Sequence, residues 1–134
     1  MVKASQYAGF WLRFIAGIID LAILSLLLSG FSVILFLLSA PDILTTFSSI
    51  LLTWLYFALM ESSIHQATVG KIAVGLKVTD MNGKMITFLK ATERYFGKYL
   101  SWFIFGIGFL MIAFTKKKQG LHDLIAKCLV LKKD

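Results

Sequence analysis

Hydrophobic and polar positions fall into long blocks along this chain before any finer period appears. Leu21 to Ala40 is uncharged over 20 positions, Ile43 to Met60 over 18, and Tyr99 to Thr115 over 17. Roughly 20 apolar residues of helix cross a hydrocarbon core, so the first two runs are long enough and the third sits at the short end. Any one of them could be the buried helix of a soluble protein. Three do not fit that reading in a chain of 134 residues, because so small a domain has too little interior to hide them. The pattern predicts a first helix from about Tyr7 to Ser39. A turn follows at Pro41-Asp42, with Asp42 capping a second helix that ends between Glu61 and Ser63. So short a link makes the two helices an antiparallel hairpin.

The period then changes. Val74, Leu76 and Val78 alternate with Lys77 and Thr79, which is strand periodicity, and Asp80-Met81-Asn82-Gly83 is a turn signal. A three-residue loop with Gly83 in the left-handed position would pair Asp80 with Lys84, Val78 with Ile86 and Leu76 with Phe88, giving a small β-hairpin. From Phe88 the period is helical. Phe88, Thr92, Tyr95, Phe96 and Tyr99 share one side, and Lys90, Arg94, Gly97 and Ser101 the other, as in an amphipathic helix lying in a membrane interface. Cys128 to Leu131 reads as a short strand that could extend the hairpin.

Composition strengthens the membrane reading. The chain is 58% hydrophobic and 16% charged, against about 25% charged in an average soluble domain. Its length suits one domain over residues 1–134. The apolar stretch from Phe14 is far longer than the core of a cleaved signal peptide. A single cysteine, Cys128, allows no internal disulfide. The net charge of +7 suits anionic lipid better than nucleic acid, since the basic residues flank the apolar runs.

Charge also bears on topology, because cytoplasmic flanks carry the Lys and Arg excess. Three complete spans would divide the basic residues eight against six, which is no asymmetry. If the third apolar run instead dips in and returns, turning at Gly106-Ile107-Gly108, all 14 fall on one side. We therefore expect a re-entrant third segment, with three full spans as the competing topology. In either case the N-terminus is cytoplasmic, in the plasma membrane of a multi-pass protein.

Candidate chemistry sits at the ends of the apolar runs. Arg13 and Asp20 lie two turns apart on one helix face, roughly 10 Å along the axis, so each wants another partner. Gly17 on nearly the same stripe would admit a close approach. Glu61 ends the second helix with His65 one turn on, and Lys71, Arg94, His122 and Asp123 fall on the same side. Ser25, Ser29 and Ser32, with Thr45, Ser49 and Thr53, form small polar stripes suited to helix packing. His65 and His122 with one cysteine make no zinc site, and no phosphate loop or catalytic triad is legible, so neither an enzyme nor a bound cofactor is expected.

Ala8-Gly9-Phe10-Trp11-Leu12-Arg13 with Asp20 resembles the opening of the Arg-Asp-Asp (RDD) family of small membrane proteins. Ala67-Thr68-Val69-Gly70-Lys71 is similar to that family's Thr-x-Gly-Lys segment, and Gly75-Leu76-Lys77-Val78, Asp80 and Gly83 to the hairpin after it. Arg94 and Gln119-Gly120-Leu121-His122-Asp123 complete a resemblance that covers nearly the whole chain. It implies that Arg13, Asp20 and Asp123 are the residues that name the family. It also implies a largely undefined role, with transport of unknown ligands the usual suggestion and sodium/proton exchange described for some relatives.

Two functions follow as expectations. One is transport of ions or small solutes, such as exchange of Na+ for H+, by a homo-oligomer with Asp20 as the working carboxylate. The other is a non-transporting scaffold or partner subunit that binds lipid headgroups or another protein at the cytoplasmic face. Arg13, Asp20 and Asp123 then serve either a ligand or a three-way structural network with Arg94 or Lys71, while Glu61 and His65 are either a proton-sensitive pair or an interfacial helix end.

Overall fold

The computed structural model describes residues 6–103 and 107–133. It is mostly helical and opens with α1 (Phe10–Leu37) and α2 (Asp42–Ser62). Both are long and apolar enough to cross a membrane. Leu26, Leu27, Val33, Ile34 and Phe36 of α1, like Ile43, Phe47 and Ile50 of α2, are exposed. Leaving such side chains in water forgoes about 1.5–3 kcal/mol each, so helices apolar all round belong in lipid or against a partner. The pair runs antiparallel, with Tyr56 of α2 reaching back to Asp20 of α1. Pro41 is the N-cap of α2, and Asp42 occupies its first turn without a side-chain capping bond, which corrects the expected cap. The hydroxyls of Thr45 and Thr53 donate to the carbonyls of Pro41 and Ser49 one turn back, so each is satisfied within its own helix.

Beyond α2 the chain folds into a compact cap. It comprises α3 (Val69–Ala73), β1 (Leu76–Asp80), α4 (Phe88–Phe103), α5 (Ile107–Phe114), α6 (Leu121–Ala126) and β2 (Cys128–Lys132). The expected β-hairpin does not form. β1 pairs antiparallel with β2 instead, from Leu76 opposite Lys132 to Asp80 opposite Cys128. Of the proposed hairpin only the turn survives: Gly83 sits at φ +83°, and the Asp80 N–H donates to the Lys84 carbonyl at 2.9 Å. The physical reason is burial. β2 brings Cys128, Leu129, Val130 and Leu131, all buried, whereas the rival strand buries Ile86 alone and leaves Met85 and Phe88 exposed. Both sheet edges are covered. Tyr7 bridges Leu131 on one side, and the Val78 N–H donates to the Gln66 carbonyl on the other.

Two short helix–strand units build this sheet in the same way. α3 ends on Gly75 at φ +76° and passes directly into β1, and α6 ends on left-handed Lys127 and passes into β2. Alanines from four helices keep the core around this sheet thin: Ala16 of α1, Ala58 of α2, Ala91 of α4 and Ala126 of α6 are buried with Leu76, Val78, Ile86 and Val130, and Leu12, Trp54 and Val74 pack around them.

The amphipathic character of α4 is real, but its orientation is the reverse of a helix resting polar side outward. Arg94, Gly97 and Ser101 are buried, while Phe96, Tyr99, Leu100, Trp102 and Phe103 are exposed. The guanidinium needs carboxylates, and those stand on α2 and α6, inside. The third apolar run is divided between the end of α4 and the eight-residue α5. The turn expected at Gly106 lies outside the described residues, and Ile107 and Gly108 belong to α5. After α5 the chain returns to the end of the fold that holds β1.

Candidate ionic site

Arg94, 1% exposed, is the hub where the helices meet. Its Nη1 donates to both oxygens of Glu61, at 2.7 and 2.8 Å, and its Nε to Asp123 Oδ1 at 2.8 Å. The last turn of α2 is thereby tied to the first turn of α6 through α4. Lys71 of α3 adds its ammonium to Glu61 Oε1 at 2.6 Å. Arg13, in the first turns of α1, donates Nη1 to Asp123 Oδ2 at 2.6 Å and to the Lys118 carbonyl at 3.0 Å. Asp123 also accepts the Gly120 N–H at 3.1 Å. Five helices therefore close on two carboxylates. Among the described residues, every buried side-chain nitrogen and oxygen has a hydrogen-bond partner, the condition under which buried charges are tolerable.

The protonation pattern follows from this geometry. Burial pushes the Asp123 carboxyl up, but Arg13 and Arg94 outweigh it and hold the group well below the usual carboxylate range. Burial lowers the Arg94 pKa, yet Glu61 and Asp123 raise it above its ordinary value. His122, 1% exposed, is depressed well below 6.5 by burial, with Arg94 and Arg13 adding to the effect against Asp123. The ring is neutral: Nε2 accepts from Arg13 Nη2 at 3.0 Å, which assigns the proton to Nδ1, 3.4 Å from the Ser101 hydroxyl. Burial also lowers the Lys71 ammonium, with Arg94 and Arg13 in the same direction and Glu61 opposing them.

Asp20 stands apart from this network. Buried to 3% exposure, its Oδ1 accepts the Tyr56 hydroxyl at 2.7 Å and the Gly70 N–H at 2.8 Å, and its Oδ2 accepts the Thr68 hydroxyl at 2.5 Å. The three-way network of Arg13, Asp20 and Asp123 is therefore corrected to Arg13, Asp123 and Arg94, with Lys71 on Glu61. The pairing of Glu61 with His65 is corrected too: Glu61 is occupied by Arg94 and Lys71, and His65 is exposed with its backbone N–H on Ser63. Gly17 has open space around it, so it admits no close neighbour. The close approaches belong to Gly70 and Gly97. A β-carbon on Gly70 would enter the Ala16 carbonyl oxygen and lie 2.8 Å from Asp20 Cγ, and one on Gly97 would lie 3.0 Å from His122 Cα.

Sequence reasoning brought Arg13, Glu61, Lys71, Arg94, His122 and Asp123 to one end, and there they meet. It missed Tyr56, although the antiparallel hairpin puts position 56 level with position 20. It also gave no role to Lys98, whose signal was its place one turn from Arg94 on the same face of α4.

The RDD family model matches residues 7–127, which takes in every element of this site. The chain belongs to the RDD family. Three relatives from Bacillus subtilis (strain 168) show how widely the likeness extends. The uncharacterized protein YxaI is 35% identical, covering 94% of this chain and 97% of its own length. The uncharacterized membrane protein YteJ is 34% identical over 93% of this chain and 80% of its own. The uncharacterized protein YckC is 30% identical over 89% and 80%. No solved structure matches this chain significantly. Family membership and two helices of spanning length make this RDD protein a membrane protein.

Proposed function

We propose that this RDD protein is a non-transporting membrane scaffold whose ion-clamped cap is its working surface at the cytoplasmic face. The observation that carries the reading is the closure of the ionic network. Arg13, Lys71 and Arg94 saturate Glu61 and Asp123, joining α1, α2, α3, α4 and α6 in one rigid head. Ion relays instead place ionisable groups inside the membrane, facing a cavity. In this reading α1 and α2 cross the plasma membrane as a hairpin, and the N-terminus is cytoplasmic. The end of α4 and α5 dip in and return, since the pairing of β2 with β1 favours a common side for everything that carries Lys and Arg. The cap then offers its basic rim to lipid headgroups or to another protein.

One observation favours a second reading, cation/proton exchange by an oligomer. Among the described residues Asp20 takes only neutral donors, so no cation of the network pairs with it. Purified protein in liposomes separates the two. The scaffold reading expects no counter-flux above empty liposomes under an imposed sodium or pH gradient. Flux that disappears in a folded Asp20→Asn variant would replace it with exchange. A side-specific reporter on the C-terminus tests the topology, and an external C-terminus would overturn the re-entrant segment.

A further inference from the structure

The ionic head is not neutral. With Lys98 protonated, Arg13, Lys71, Arg94 and Lys98 face Glu61 and Asp123, four cations to two carboxylates, and including Asp20 still leaves one positive charge in excess. Lys98 is the cation left over. Its Nζ stands 3.9 Å from Glu61 Oε1, beyond hydrogen-bond reach, because Arg94 and Lys71 already occupy that carboxylate at 2.6–2.8 Å. Among the described residues its Nζ also stands over the face of Phe57, 4.3 Å from the ring centroid. Its side chain is 21% exposed, so it opens to the outside where Arg94 and Lys71 do not. Charged groups face it from each packed element: Glu61 on α2, Lys71 on α3, Arg94 on α4 and Asp123 on α6.

The same corner continues into an apolar groove. Phe57 packs on Tyr95, with ring centroids 5.7 Å apart. Beyond Tyr95 a groove of about 530 Å³ opens between α2 and α4, lined by Phe47, Ile50, Leu51, Trp54, Phe96 and Tyr99. The Tyr95 and Tyr99 hydroxyls, 2.6 Å apart, stand at this wall. A surplus ammonium thus lies one aromatic ring away from a hydrocarbon-sized trough, at the base of a helix of spanning length.

We infer that the corner between α2 and α4 is a binding site for an anionic phospholipid, its phosphate on Lys98 and an acyl chain along the groove from Tyr99 to Phe47. This rests on the scaffold reading, of which it names the ligand. Charge complementarity selects the lipid class. A phosphodiester with no cation of its own answers the unbalanced positive charge, whereas a choline headgroup brings another cation to it. Burial beside Lys71 and Arg94, only partly offset by Glu61, holds the Lys98 ammonium down at about 7, and a bound phosphate would keep it charged.

The experiment is lipid retention by the purified full-length chain after exchange in equal amounts of phosphatidylglycerol and phosphatidylcholine, read by native mass spectrometry. The wild type should keep phosphatidylglycerol about fivefold over phosphatidylcholine, the weight of one interfacial lysine. Lys98→Met, which keeps the side-chain volume, should bring the ratio near unity. Lys98→Arg should retain the preference, and Ile50→Trp should lower total retention by filling the groove. Lys116→Met, at an exposed position, should change nothing. Thermal midpoints of all variants in detergent check folding. A wild-type preference that survives Lys98→Met, or that falls equally with Lys116→Met, would overturn the site in favour of diffuse attraction to the basic surface. Stabilisation by inorganic phosphate alone, equal to that by the lipid, would also overturn it. Either result leaves the flux test of the scaffold reading untouched, and flux in that test would not by itself remove the lipid.

Discussion

Asp20 and Asp123 are two buried carboxylates, each accepting a backbone N–H beside a short helix, and they are held by opposite chemistry. Asp123 lies between two guanidiniums, Arg13 and Arg94. Asp20 is held by Tyr56, Thr68 and the Gly70 N–H, all neutral. The first arrangement joins elements far apart in sequence, α1 and α4 to α6, through charges that do not tolerate the loss of a partner. The second latches α1 onto α3 at a spacing so close that only glycine fits. Charge therefore sets the long-range assembly of the head, and shape sets its seat on α1.

That contrast breaks most sharply at Asp123. Asp123→Asn leaves two buried guanidiniums short of a countercharge and should lower stability by about 3–5 kcal/mol, seen as a large drop in the unfolding midpoint in detergent. Retention of the wild-type midpoint would mean that the network is not closed as described. Gly70→Ala comes next, at about 2–3 kcal/mol, because the added carbon meets backbone that cannot rotate away. Asp20→Asn should cost less, about 1–3 kcal/mol, since an amide keeps one acceptor and loses no ion pair. If it proved more damaging than Asp123→Asn, the division between charge and shape would be wrong.

The effects of pH share one sign, stability rising with pH, and separate the groups by the range in which each acts. His122 is neutral in the fold and depressed below 6.5, so below about pH 6.5 the unfolded chain takes up a proton that the fold refuses. Stability should fall as pH drops through that range, and His122→Gln should flatten the slope. Asp123, depressed as an acid, contributes stability that is complete above about pH 4 and is lost as pH falls below it. Lys98 acts at the alkaline end of the range. With its pKa at about 7 in the fold against 10.5 unfolded, stability should rise from pH 7 towards 10. Lys98→Met should remove that rise, and an unchanged slope would show that Lys98 is better solvated than its 21% exposure implies.

Long, simple patterns were legible in the chain. The two apolar helices, their short link and the arrival of Glu61, Lys71, Arg94, His122 and Asp123 at one end follow from run lengths and charge positions. The β-hairpin was not legible, because alternation marks Leu76 to Asp80 as a strand without naming its partner. Nor was the direction of α4, since the same stripe fits a polar face turned to water or one turned inward to carboxylates.

What the sequence by itself determined is which residues must leave water and which end of the molecule holds the charges, since hydrophobic length and helical period are local properties. Only the tertiary structure decided which carboxylate takes which cation. The difference between the partners of Asp20 and Asp123, the pairing of β1 with β2 and the surplus charge on Lys98 all depend on contacts between distant segments. Close approaches at Gly70 and Gly97 select those contacts, and no local pattern encodes them.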